Sequence, residues 1–266
     1  LINRTSVKGS PAMILVDVHG EYRFNFKATK NQTDDLDTTE ISGKIQRYNA
    51  SFLQISVPSL SEYDFQRYQP NISRPQLREL RKAIRICRKR FLYASDSKSS
   101  TSDDSPEKQT QKKKHKSQEK CSGYDISDII SVLENELEIN TNVKDALIGW
   151  LEDLNQLKFF GKKSRPQLNN LARINHLVIL DFSTLISQRK KAILLHHYCS
   201  QLFYYRRLKK IPPFILFLEE AHNFIPAKDS KTAFAKSIIE TIAREGRKFY
   251  AQLVLVSQRP VRLSTT

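Results

Sequence analysis

Phe214–Pro226 reads FILFLEEAHNFIP. Five consecutive apolar residues follow the helix-breaking pair Pro212-Pro213, which is the pattern of a strand buried on both faces of a parallel sheet. The strand ends on two adjacent acids, Glu219 and Glu220. Carboxylates beside a buried strand are costly unless they have partners or work. One reading is the metal-and-water side of an ATP site. There, one acid holds a divalent ion through hard oxygen ligands and the next orients a water for in-line attack on a γ-phosphate. The other reading is an acid pair neutralised by arginine at a sheet edge.

The same rhythm extends outward. Met13–Val18 (MILVDV) is a short apolar run closed by His19-Gly20 and carrying Asp17 at its end; Phe52–Val57 (FLQISV) is a second strand candidate. His176–Phe182 (HLVILDF) carries Asp181 at its end, and Leu253–Val256 (LVLV) is closed by Ser257-Gln258-Arg259-Pro260. Between these runs the spacing predicts a long amphipathic helix over Leu185–Leu208 and another reaching Phe249, capped by Asp229 or Ser230. Strands alternating with helices predict an α/β fold with a mostly parallel sheet covered on both faces. In such sheets ligands bind beyond the carboxyl ends of the strands, where Asp17, Asp181, Glu219, Glu220 and Gln258 all fall.

The middle of the chain differs. Gln76–Tyr93 predicts a basic helix, with Pro75 where it begins, and Ile126–Leu137 and Val143–Leu157 predict two more. Ser95–Ser122 is rich in Ser, Lys, Asp and Gln, has almost no apolar residues, and reads as a disordered loop.

The 266 residues are 39% hydrophobic, enough for a substantial core, and carry a formal charge of +16. The sequence pI is about 9.7 and the mean hydropathy −0.51. Such a positive excess favours a polyanionic partner, because each neutralised phosphate releases a counterion. It is also compatible with a lysine-rich solvated surface. No run of about 18 apolar residues predicts a membrane span. Cys87, Cys121 and Cys199 lie far apart with no C-x-x-C spacing, so a metal site on cysteine is not expected and a reducing cytoplasm is.

Several residues join the acid pair. Arg244 and Arg247, in Ala243–Lys248 (AREGRK), can stabilise charge on a transferring phosphate from their own subunit or a neighbour's; they can also simply complement a helix end. Gly246 between them marks close packing or a bend. Gln258 can sense a γ-phosphate or merely start a loop. Asp17 can assist a metal or Glu220. His19 and His222 read as packing or hydrogen-bonding residues rather than ligands.

Taken together, DVHGEY (Asp17–Tyr22), LFLEEAHNFIP (Leu216–Pro226), IAREGRKF (Ile242–Phe249) and LVLVSQRP (Leu253–Pro260) resemble the HerA-type ATPases of the FtsK–HerA group in order and spacing. The resemblance covers residues 11–57 and 166–266. It implies a RecA-like P-loop core, ATP and Mg²⁺, a homo-hexameric ring on double-stranded DNA, and a NurA-type nuclease partner in DNA-end processing and repair. Carried over by motif, Glu219 is the metal-side acid of a Walker B motif and Glu220 the catalytic glutamate. Arg244 and Arg247 take the arginine-finger and sensor positions, and Gln258 the sensor after the next strand. Glu219 departs from the usual Asp, so its longer side chain must reposition a metal-bound water. Related rings act in conjugation or antiviral defence, and these trades stay open.

The resemblance also implies an organisation. Residues 1–60 form the first part of an ATPase core, 61–165 a helical insertion with a disordered loop at about 95–122, and 166–266 the second part. No G-x-x-x-x-G-K-[ST] occurs. Gly161-Lys162-Lys163-Ser164 lacks the first glycine, Gln156 standing in its place, and follows a helix rather than a strand. The phosphate loop is expected upstream of the Asp17 strand, and residues 1–266 alone are expected not to hydrolyse ATP. A non-enzymatic alternative gives nucleic-acid binding to the basic helix Arg78–Arg90 and the lysine run Lys112–Lys116.

Overall fold

The computed structural model describes residues 10–22, 39–41, 44–96, 123–226 and 233–259. The expectations for the loop beyond Asp96, the run Lys112–Lys116, the helix caps Asp229 and Ser230, and residues 1–9 lie outside them. The chain forms two compact units, Leu1–Ile55 with Ser164–Thr266, and Ser56–Lys163.

The first unit is built on a six-stranded sheet of β1 (Ala12–Asp17), β2 (Thr39–Ile41), β3 (Ile45–Asn49), β6 (Leu177–Asp181), β7 (Phe214–Leu218) and β8 (Ala251–Leu255). The order is β2-β3-β6-β1-β7-β8, and every pairing is parallel except that of β2 with β3. A parallel neighbour demands a crossover rather than a hairpin. The chain supplies α6 (Gln188–Arg207) between β6 and β7, and α7 (Ala233–Glu245) between β7 and β8. Ser187 caps α6 by accepting the Lys190 N–H, and α6 and α7 pack on each other.

Central β1 is buried at all six positions, which explains its unbroken apolar run. Met13 and Leu15 cluster with Ile45, Leu177 and Ile179. At the sheet edge, the LVLV run reads as buried on both faces, yet Val254, Leu255 and Val256 are 38%, 41% and 46% exposed.

The strand expected over Phe52–Val57 is corrected by the structure. There the chain makes a 3-10 turn at Ala50–Phe52, a two-residue strand β4 (Ile55–Ser56) and a second turn at Val57–Ser59. The sheet strand is the preceding β3, IQRYN. Its polar residues obscure the apolar signal because Arg47 and Asn49 lie at the functional edge rather than in the core. A short helix α5 (Leu168–Leu171) precedes β6.

The second unit is helical: α1 (Glu62–Tyr68), α2 (Arg74–Asp96), α3 (Ile126–Asn135) and α4 (Thr141–Asn155), followed by the two-residue β5 (Phe160–Gly161). Capping boxes start α1 (Ser61 with Asp64) and α3 (Asp125 with Asp128), satisfying otherwise orphaned N–H groups. Its core includes Phe65, Tyr68, Leu80, Ile84, Leu133, Leu147 and Leu151. Part of the charge on basic α2 is matched within the unit. Arg81 meets Glu62 at 2.6 Å, Lys82 meets Glu79 at 2.9 Å, and Arg90 pairs with Glu136. Arg88 donates to the Leu60 carbonyl at 2.8 Å.

Among the described residues, no helix is long and apolar enough to cross a membrane.

Candidate active site at the carboxyl ends of the strands

Strand register brings the acids to one edge. Asp17 ends β1 opposite Asp181 at the end of β6, and Asp181 in turn lies opposite Asn49 of β3. Val16 lies opposite Leu218, so Glu219 emerges beside Asp17.

Asp17 is completely buried. Its Oδ1 accepts the N–H groups of Gly20 at 2.6 Å and Glu21 at 3.2 Å, and its Oδ2 accepts that of Tyr22 at 3.2 Å. The DVHGEY segment is therefore a loop wrapped around its own first carboxylate. Gly20, at φ 76°, supplies the left-handed turn that lets the chain fold back.

Glu219 accepts the Val18 N–H at 3.0 Å. Burial pushes its carboxyl above the usual range; the Val18 N–H opposes this, while the charge of Asp17 and a hydrogen bond between the two side chains push the same way. Two carboxyl groups so close favour either a shared proton or a cation. All their donor atoms are hard oxygens, which suits Mg²⁺. Mg²⁺ commonly takes one or two protein carboxylates and completes its shell with water and substrate phosphate, which Glu219 fits; Asp17, fully buried with its oxygens taken by three N–H groups, stands behind it. Among the described residues, no group of three or more His, Cys, Asp or Glu side chains forms an all-protein metal cage.

Arg47 was not legible as a site residue. Its guanidinium meets Asp181 Oδ2 through Nη2 at 2.6 Å and Nε at 3.2 Å, stands 3.8 Å from Asp17, and donates to the Tyr22 carbonyl at 3.3 Å. Burial raises the Asp181 carboxyl, but hydrogen bonds from Ser183 and the charge of Arg47 outweigh it and hold the group below the usual carboxylate range. Lys191 reaches the Val18 carbonyl at 3.4 Å. Burial holds its ammonium below the usual lysine range, with Asp181 opposing. The edge of the sheet is thus a mixed-charge cluster rather than a plain acid pair. Strand register places Arg47 in it, and the start of α6, just after β6, places Lys191.

Glu220 has φ 48° and ψ 44°, a left-handed conformation. For a residue with a side chain this costs about 1–3 kcal/mol and persists only where the surroundings impose it. Ala221 N–H donates to Val256 O at 3.0 Å, and Asn223 N–H closes a turn on the Glu220 carbonyl at 2.9 Å. Glu220 Oε2 lies 3.1 Å from His222 Nδ1, which is itself 3.1 Å from Ser257 Oγ. His222 is thus a hydrogen-bonding residue.

This sheet, with acids at its carboxyl edge and a strained glutamate after β7, can be set beside known proteins. Residues 1–202 match the family described as Helicase HerA, central domain. The chain belongs to the HerA central-domain family. The acid pair lies beyond the matched span, so its assignment stands on the geometry above. The "Probable DNA double-strand break repair helicase HerA" of Methanocaldococcus jannaschii is 51% identical over 51 residues, which is 19% of this chain and 10% of that protein. Among solved structures, VirB4 of Thermoanaerobacter pseudethanolicus aligns with TM-score 0.57 at 14% identity, over 96% of this chain and 64% of VirB4. That likeness shows a shared α/β fold with a mostly parallel sheet. The chain therefore spans less than two thirds of both.

Within the HerA-type fold the remaining candidates separate. Gln258, exposed, follows β8 at the same edge as the acids. Arg244 and Arg247 do not. α7 runs back along the sheet, and Tyr250 O accepts the Phe214 N–H at the start of β7. Five strand residues, about 16 Å at 3.3 Å each, lie between that point and Glu219. Both arginines are exposed at the amino edge of the sheet. They do not meet the acid pair of their own chain.

Proposed function

We propose that this chain is the water-activating part of an ATP-driven DNA translocase or helicase motor. Glu220 carries the reading: a catalytic base needs a fixed direction, and this glutamate is held in a strained left-handed conformation directly after a buried strand. Glu219 would hold Mg²⁺, with Asp17 fixed behind it, and the ion would supply positive charge to the phosphates of ATP. Glu220 orients the attacking water. Gln258 monitors the γ-phosphate from the end of β8. Arg244 and Arg247, remote from their own acids, act across a subunit boundary on the site of a neighbour. This is the head-to-tail arrangement that closes into a ring, and we assign a homo-hexamer.

The sequence holds no G-x-x-x-x-G-K-[ST], so turnover is assigned to the whole protein rather than to residues 1–266 alone. The name of the Methanocaldococcus relative and the charge of +16 favour double-stranded DNA as the track. A role in DNA-end repair with a NurA-type nuclease, in the cytoplasm, follows the same resemblance. The non-enzymatic reading draws less support, because three basic residues of α2 are already paired with acids of their own unit.

The test is ATP hydrolysis by the full-length protein with and without duplex DNA. Glu220→Gln should reduce kcat by about 10²-fold or more while ATP still binds. Turnover of the Gln variant at the wild-type rate would overturn the assignment.

A further inference from the structure

We infer that His222 is a positioning residue that holds Glu220 and couples it to the Ser257-Gln258 turn after β8. The inference rests on the assignments of Glu220 as the catalytic glutamate and Gln258 as the γ-phosphate sensor, and adds what governs Glu220.

A single nitrogen, His222 Nδ1, stands 3.1 Å from both Glu220 Oε2 and Ser257 Oγ. His222 and Glu220 are both nearly buried, at 10% and 11% side-chain exposure, so water competes weakly for this contact. A carboxylate only accepts hydrogen bonds, whereas a serine hydroxyl can donate or accept. Two arrangements follow. With the proton on Nδ1, the imidazole donates to Glu220 and fixes its carboxylate. With the proton on Nε2, Nδ1 accepts from the Ser257 hydroxyl and presents a lone pair to Glu220, which is released. Ser257 Oγ also accepts the Arg259 N–H at 3.1 Å, so the hydroxyl is built into the turn that carries Gln258. A shift of that turn changes which group His222 serves. The backbone adds a parallel link, since Ala221 N–H donates to Val256 O directly before Ser257. The two strand ends are thus joined by a backbone hydrogen bond as well as through the imidazole. The γ-phosphate sensor and the water-orienting glutamate thereby share one two-state element, the form that coupling between sites requires.

The experiment measures steady-state ATP hydrolysis by the full-length protein. His222→Ala is expected to lower kcat about tenfold with KM for ATP changed less than about twofold, because orientation is lost and ground-state binding is not. His222→Asn, whose amide can donate from about the same place as Nδ1, should recover most of that loss. Ser257→Ala should lower kcat, and combining it with His222→Ala should add nothing further, since one pathway is already cut. A wild-type kcat in His222→Ala, no recovery in His222→Asn, or full additivity of the two alanine variants each overturns the proposal. If His222→Ala does not fold, the Asn and Ser257 variants decide it. Glu220→Gln separates the levels: if that variant hydrolyses ATP normally, the assignment of Glu220 itself fails; if it is inactive while His222→Ala is normal, only the coupling fails.

Discussion

Gly246→Ala distinguishes what helix propensity expects from what packing dictates. On propensity alone, replacing a glycine within a helix by alanine gains about 1 kcal/mol. In the structure, α7 ends at Glu245, and Gly246 opens a 3-10 turn packed on the start of β8. A Cβ there would lie 2.2 Å from Ala251 O, 3.3 Å from Ala251 C and 3.4 Å from Ile242 Cγ2. The obstructing atom is a backbone carbonyl in a strand registered against Phe214, so it cannot swing aside as a flexible side chain would. Overpacking of this kind costs about 3 kcal/mol, the upper part of its usual range. Reduced freedom of the unfolded chain returns up to about 1 kcal/mol. The net expectation is destabilisation by about 2 kcal/mol, or a Tm lower by about 4–8 °C in a domain of this size. Urea unfolding followed by circular dichroism measures it. Gly149→Ala is the control: it lies within α4, nothing stands within 4 Å of its added Cβ, and it should gain about 1 kcal/mol. A Gly246→Ala protein as stable as wild type, or more so, would refute the packing argument.

Further expectations concern charge. The folded-state pKa of Glu219 is raised above its unfolded value, so its contribution to stability is full below the unfolded pKa and is lost as pH rises through the folded one. Glu219→Gln keeps the neutral form throughout, so its stability advantage over wild type should grow as the pH rises above 4.5, the ordinary glutamate value, in Mg²⁺-free thermal unfolding. A difference independent of pH contradicts the assignment. Arg47→Met leaves Asp181 and Asp17 without their buried cation and should destabilise by about 3–5 kcal/mol in urea. Mixing full-length Glu220→Gln with full-length Arg244→Ala/Arg247→Ala, each inactive alone, should restore ATP turnover, because some interfaces then pair an intact arginine set with an intact glutamate; no recovery on subunit exchange contradicts action in trans.

Much of the first unit was legible because parallel strands buried on both faces announce themselves as short apolar runs. β1, β6 and β7, with Asp17, Asp181 and Glu219 at their ends, appear in the structure within a residue or two of where the pattern puts them. β3 was not legible: IQRYN carries an arginine and an asparagine toward the site, and the apolar FLQISV nearby offered a stronger but misleading signal. Periodicity reports burial, and it fails where a strand gives side chains to a functional edge instead of to the core.

Sequence alone determined the residue types at the strand ends, the alternation of strands with helices and the likeness to HerA-type ATPases, because each depends on local composition and order. The tertiary structure decided which residues meet. It set Arg47 between Asp181 and Asp17, His222 between Glu220 and Ser257, and Arg244 and Arg247 at the opposite edge from the acids. Those contacts depend on strand order and register, which join residues distant in the chain. Side chains two residues apart share a face of a strand, but no local pattern encodes which strand lies beside it.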